Sequence, residues 1–223
     1  MRSSIILALL FFALNSFAAQ TQLSSKSIWN PKIGETDLLQ RIRDVCSRDL
    51  ELGHIKTIHS CFIAELEKLK VDPEVVQFVK QTKTIGYMTD FKRVGPVDLA
   101  YVNFPFRANQ NEGFYLANGT PSLIDVDDPK WVDSAKTHSF FLVLQKKYPN
   151  LSIFPGDRSP SFVPQIIRKP RGEIDFVFQY SLRDGCRACA HLGQLDLSFR
   201  FNSKGKFQGL IVHQVKASHE KSE

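Results

Sequence analysis

Long apolar runs are missing from the body of the chain: after the N-terminal segment nothing reaches the roughly 18 uncharged residues that a membrane-spanning helix needs. The mature protein is therefore expected to be soluble. Glycine (12 residues) and proline (11) are sparse and scattered through 223 residues, which excludes a collagen-like repeat and a long flexible linker. No internal repeat is present. No cysteine precedes Cys46, so the acylated N-terminal cysteine of a bacterial lipoprotein has no candidate. What is there has the balance of an ordinary globular chain, 43% hydrophobic and 23% charged, long enough to bury a core as one large domain or two small ones.

The first segment reads as an address. Arg2 precedes an apolar run from Ile5 to Leu14, and Ser16-Phe17-Ala18 places small residues where a signal peptidase cleaves. Residues 1–18 are expected to be a signal peptide, and the mature chain to be secreted or periplasmic. Cleavage removes one of the 29 basic residues, Arg2, and none of the 23 acidic ones, which lowers the formal charge from +6 to +5. Most of the excess falls in residues 146–187, where Lys146, Lys147, Arg158, Arg168, Lys169, Arg171, Arg183 and Arg187 stand against four acidic residues. Arg158, Arg168, Lys169, Arg171, Arg183 and Arg187 form the candidate anion-binding set, read either as contact with an anionic membrane surface, a polyanionic polysaccharide or nucleic acid, or as solvated surface. These charges are spaced along several elements, which argues against a specific nucleic-acid groove.

From Thr36 to about Gly86 the apolar residues recur with a helical period. Leu38, Leu39, Ile42, Val45 and Cys46 mark one helix, and Gly53 ends it; Ile55, Ile58, Cys61, Phe62, Leu66 and Leu69 mark a second. Asp72-Pro73-Glu74 caps a third through Val75, Val76 and Val79. Cys46 and Cys61 lie nearly equally far from Gly53, so an antiparallel hairpin brings them to the same height, and in an oxidising compartment they are expected to form a structural disulfide.

Beyond Tyr87 the pattern turns to sheet. Strands are expected over Val97 to Phe104, Phe114 to Ala117 and Leu123 to Val126 with an Asn118-Gly119 turn. Others follow near Leu151 to Phe154, Ser161 to Ile167, Ile174 to Leu182, Leu195 to Phe201 and Phe207 to Val215. A single long helix, started at Asp128-Pro129 and stopped at Tyr148-Pro149-Asn150, interrupts them. The fold class is α+β: a three-helix N-terminal region over residues 19–90 and a sheet domain over 91–218, with a flexible tail at 219–223. The sheet is expected to be a mostly antiparallel meander packed on that long helix, in the manner of a cystatin-like or cone-shaped sheet.

The most distinctive stretch runs from Gly185-Cys186-Arg187-Ala188-Cys189-Ala190-His191-Leu192-Gly193 to Phe199-Arg200-Phe201 and Gly205-Lys206-Phe207-Gln208-Gly209. Over about 25 residues it resembles a segment of uncharacterised exported bacterial proteins in which a Gly-Cys-x-Ala-Cys loop precedes a hairpin. The resemblance implies export and carries no activity. Three chemistries compete for Cys186 and Cys189. A local disulfide suits export. A thioredoxin-type dithiol needs a helix N-terminus after the first cysteine and a proline opposite, whereas here a strand follows and no proline comes after Pro170. A zinc site is open if His191 and His213, whose strand parity matches the apolar face, join the two cysteines as a tetrahedral set. Haem is excluded because Ala190 stands where a histidine must follow the second cysteine. No cofactor motif is present.

Other constellations are weak. Asp125, Asp127, Asp128 and Asp133 lack the glycine and the bidentate glutamate of a calcium loop and read as helix capping. Asp133, His138 and Ser134 or Ser139 sit on one helix, which cannot converge them into a triad. The sequence thus points to an exported binding protein for another protein or an anionic ligand. The alternative is a thiol-disulfide or metal-dependent enzyme built on the Cys186 loop.

Overall fold

The computed structural model describes residues 22–31, 36–54, 57–82, 85–107, 111–158 and 162–217; the expected signal peptide and C-terminal tail lie outside the described residues. Three helices come first, α1 (Thr36–Glu51), α2 (Ile58–Lys68) and α3 (Pro73–Gln81). Their ends follow local chemistry. Gly53 adopts φ +71° so that its N–H donates to the Leu50 carbonyl and that of His54 to Asp49, closing α1. Thr57 caps α2 by accepting from the Ser60 N–H, and the Asp72 carboxylate accepts from Glu74 N–H while Pro73 occupies the first turn of α3. Cys46 and Cys61 are joined across α1 and α2, with Cα atoms 5.6 Å apart and both side chains buried.

Sheet 1 is an antiparallel meander of β1 (Tyr87–Lys92), β2 (Asp98–Asn103), β3 (Glu112–Ala117) and β4 (Leu123–Asp125). One face meets the helices, where Met88, Ala100, Val102, Tyr115 and Ala117 pack with Ile42, Phe62, Leu66, Phe78 and Val79. The other face, through Leu99, Tyr101, Phe114, Leu116 and Ile124, meets sheet 2. Covered on both sides, β2 and β3 are buried almost end to end, and the charged residue buried there, Asp98, has its carboxylate accept from Val94 N–H and from the Asn118 side-chain amide. The expected boundary at residue 90 lies inside β1, and the helices share a core with sheet 1.

Sheet 2 contains β5 (Leu151–Pro155), β6 (Gln165–Arg168), β7 (Ile174–Asp184), β8 (His191–Phe201) and β9 (Phe207–Ala217). β5 and β6 share one edge of β7, pairing with its later and earlier halves, while β8 and then β9 extend the other side. Cross-strand pairs Ile174 with Phe201, Phe176 with Phe199, Phe178 with Leu197 and Tyr180 with Leu195 form the inner face. Between the sheets in sequence come α4 (Pro129–Val132), a 3-10 turn over Asp133–Thr137 and α5 (Ser139–Lys147).

The α+β class is as read from the sequence. Its arrangement differs from one meander curled around one long helix: the strands divide into two facing sheets, and the helix expected over residues 129–147 is broken. The break has a local cause. Ser134 and Thr137 hydroxyls donate back to the carbonyls of Trp131 and Ser134, competing with helical bonding, and His138 is extended at ψ 140°.

The two sheets are laced where their turns meet. Thr120 N–H donates to the Gly205 carbonyl at 2.8 Å and Phe207 N–H donates to the Thr120 carbonyl at 2.9 Å. Gly205 sits at φ +73°, and a Cβ there would lie 2.5 Å from the Pro96 carbonyl oxygen; Gly53 has nearly the same φ but open space around it. Gly53→Ala should therefore cost about 1 kcal/mol, the left-handed backbone term alone. Gly205→Ala should cost about 1–3 kcal/mol more through steric overlap. Equal midpoint shifts for the two variants in urea unfolding would show that the turns do not press together.

Candidate functional site

The four cysteines are all bonded. Cys186 and Cys189 are joined to each other in the exposed turn between β7 and β8, with Cα atoms 5.0 Å apart. The turn is closed by Cys189 N–H donating to Cys186 O and Asp184 N–H donating to Ala190 O. β8 follows directly, so the helix N-terminus that activates a thioredoxin-type thiol is not next to the pair.

The zinc set does not assemble. Besides the bonded sulfurs, His191 pairs with Arg183 at the start of β8, whereas His213 lies opposite the step between Asp196 and Leu197. That separation along β8 is about 18 Å at strand rise. β-Bulges at both places upset the parity count that put the histidines on the apolar face, and both side chains are exposed. Among the described residues no group of three or more His, Cys, Asp or Glu is placed to hold a metal.

The six-residue anion-binding set is dispersed as well. Arg168, Lys169 and Arg171 precede β7, while Arg183 and Arg187 lie at its far end, about 30 Å away at strand rise. Arg168 donates to the Val94 carbonyl, and Arg183 to Ser181 Oγ and the Cys189 carbonyl. Lys169 and Arg200 converge on the fully buried Asp175, with N to O distances of 2.8 Å. Burial works against the Asp175 charge, yet these two cations hold its carboxyl below the usual range.

Arg158 corrects the surface reading outright. Its side chain is 1% exposed, paired to Asp127 at 2.9 Å, and donates also to the carbonyls of Asp157 and Gln179. The rings of Tyr180, Phe178 and Phe114 surround the guanidinium at 4.9, 5.6 and 6.0 Å. A pocket of about 280 Å³, lined by Tyr101, Asn103, Asp90 and Glu112 among others, reaches Arg158. The arginine is already engaged by Asp127 and two carbonyls, so the pocket gains no anion anchor from it.

The aspartate cluster divides its work. Asp128 caps α4 through Lys130 N–H, as the capping reading expected; Asp127 neutralises Arg158; Asp125 accepts from Asp127 N–H. Burial pushes the Asp125 carboxyl up to about 6, and the nearby Asp127 carboxylate adds to it. The triad does not form either: Ser134 Oγ is bonded to the Trp131 carbonyl and Asp133 pairs with Lys136 at 2.7 Å.

The arrangement best suited to a ligand lies elsewhere. α4, the 3-10 turn and the start of α5 stand off from β8 and β9, leaving a groove of about 610 Å³. Leu197, Phe207, Leu210 and Val212 form its apolar floor; Lys130, Trp131, Ser134 and His138 contribute the other wall. Two bulges bend β9, one beside the groove-lining Gly209 and one at His213. Trp131 packs edge-on to Phe207 at 5.1 Å with the Lys130 ammonium 4.6 Å from its ring centroid, and His138 stacks on Phe140. Trp131 Nε1 and His138 Nδ1 are both buried without a hydrogen-bond partner. An unmade bond on such a buried group costs about 1–3 kcal/mol, and both nitrogens belong to residues that line this groove. The sequence offers Trp131 only as a residue of the helix expected after Pro129 and His138 only as a triad member. No local signal shows that a β-hairpin far along the chain faces them.

Two outcomes test the buried charges. Arg158→Met should destabilise by about 3–5 kcal/mol, because it leaves Asp127 buried without its counter-charge, where a surface arginine would cost almost nothing in chemical unfolding. For Asp125, the folded carboxyl titrates at about 6 against an ordinary 3.8, so its proton stabilises the fold at low pH. Its contribution falls as pH rises between those values, by about 3 kcal/mol in all. Asp125→Asn should flatten that part of the stability profile between pH 4 and pH 7; an unchanged profile would show that the carboxyl is not perturbed.

Comparison with known proteins gives no family, no curated relative and no solved structure that matches this chain.

Proposed function

We propose that this chain is an exported binding protein that holds an amphipathic small molecule in the groove between the α4–α5 segment and the β8–β9 hairpin. The observation that carries the reading is the pair of buried, unpartnered ring nitrogens, Trp131 Nε1 and His138 Nδ1, in residues that line a groove of about 610 Å³ with an apolar floor and a mixed polar wall. The volume suits a ligand of ordinary metabolite size, and a few polar groups on apolar walls are how such sites fix orientation. The Trp131 N–H can only donate, so the ligand presents an acceptor there; His138 Nδ1 donates or accepts according to tautomer. Export rests on the N-terminal sequence pattern and on two disulfides, with no helix among the described residues long and apolar enough to cross a membrane.

Anilinonaphthalene sulfonate, an apolar ring system with an acceptor head, is a suitable probe, and Trp131 is one of only two tryptophans in the chain. Energy transfer from Trp131 to the bound dye should be saturable. Trp131→Phe keeps the apolar bulk and removes the donor, and His138→Ala removes the other nitrogen; each should weaken dye binding roughly three- to tenfold, the worth of one hydrogen bond. Unaltered affinity in both variants would end the proposal.

A further inference from the structure

α5 is apolar on the wrong side. Its buried anchor is Phe141, 1% exposed, with Leu144 packed partly beside it. Phe140, Leu142 and Val143 are 59%, 46% and 66% exposed. At about 100° per residue, these three span an outward arc of about 160° centred opposite Phe141. One turn further on, Lys146 and Lys147 follow Leu142 and Val143 at i+4 and so continue the same arc as cations. Lys136, paired with Asp133 at the surface, flanks the other end. No Asp or Glu occurs anywhere from Ser134 to Gly156, although acidic residues are otherwise spread through the chain.

We propose that α5 docks the protein on an anionic phospholipid bilayer. Phe140, Leu142 and Val143 enter the boundary between headgroups and acyl chains, and Lys136, Lys146 and Lys147 lie against the phosphates. An outward ridge with side chains spread over so wide an arc is covered fully by a deformable surface, and a short apolar insertion with a lysine fringe is the composition of an interfacial helix. The charge is complementary: anionic headgroups attract juxtaposed lysines over about a Debye length, no carboxylate lies within α5, and the one paired with Lys136, that of Asp133, precedes it. Phe140 stacks on the groove-lining His138, whereas Leu142, Val143, Lys146 and Lys147 do not line the groove, so vesicle binding does not require the groove to hold a ligand.

Vesicle flotation tests it, using phosphatidylcholine alone and an equimolar mixture of phosphatidylcholine and phosphatidylglycerol. The protein should float with the mixed vesicles, not with phosphatidylcholine alone, and binding should weaken as salt is raised. Phe140→Ser with Val143→Ser, both at exposed positions, should weaken binding at least tenfold at an unchanged melting temperature; Lys146→Gln with Lys147→Gln should weaken it and reduce its salt dependence. Failure of the unaltered protein to bind mixed vesicles at low salt would overturn the proposal. So would equal binding by the Ser variant. If the protein instead self-associates in sedimentation and the Ser variant is monomeric, α5 is an interface between copies and the bilayer reading is wrong.

Discussion

The two central strands of sheet 1 have no solvent face, and that constraint organises the molecule. The four strands of this sheet lie between three helices on one side and a five-stranded sheet on the other, so β2 and β3 must be apolar in both directions. Burial on this scale is the main driving force available to the fold, at roughly 25 cal/mol per Å² of apolar surface removed from water. The helical unit with its disulfide, the phenylalanine ladder of sheet 2 and the close turn contact at Thr120 and Gly205 all serve to cover that one sheet. Sheet 2 extends past it, and the α4–α5 segment covers the surplus inner face less closely, which leaves the groove.

Charge is spent on structure more than the net excess suggests. Arg158 and Asp127 form an ion pair inside an aromatic cage, and Asp175 binds Arg200 and Lys169 on the outer face of sheet 2. A buried pair of this kind contributes little net stability, because desolvation offsets the attraction, but loss of one partner strands the other. Lys146 and Lys147, in contrast, stand exposed beside the apolar ridge of α5. Counting basic residues along the chain placed Lys146 and Lys147 in one patch with arginines that the fold engages internally, and did not separate the two kinds.

Groove and ridge belong to one short segment. Residues 129–147 were read as one long helix, and an unbroken helix would have pressed its apolar stripe on the sheet. Backbone-directed bonds of Ser134 and Thr137 break it, His138 extends, and α5 restarts with only Phe141 fully buried. The break both opens the groove at Trp131 and His138 and turns Phe140, Leu142 and Val143 outward.

The three helices, their caps at Gly53, Thr57 and Asp72, the Cys46 to Cys61 bridge and most strands were determined by the sequence itself, because period, capping and turn chemistry act within a few residues. For Cys186 and Cys189 the sequence leaves a local disulfide, a dithiol and a zinc site open, and the structure joins the two sulfurs. Only the tertiary structure decided that the strands part into two sheets, that Arg158 is interior, that His191 and His213 are held apart, and that β8 and β9 face Trp131. Each of these depends on register, and two bulges in β9 shift parity without a mark in the alternation of polar and apolar residues. Pairings between distant segments are set by which faces can be buried together, a property of the whole core that no window of sequence contains.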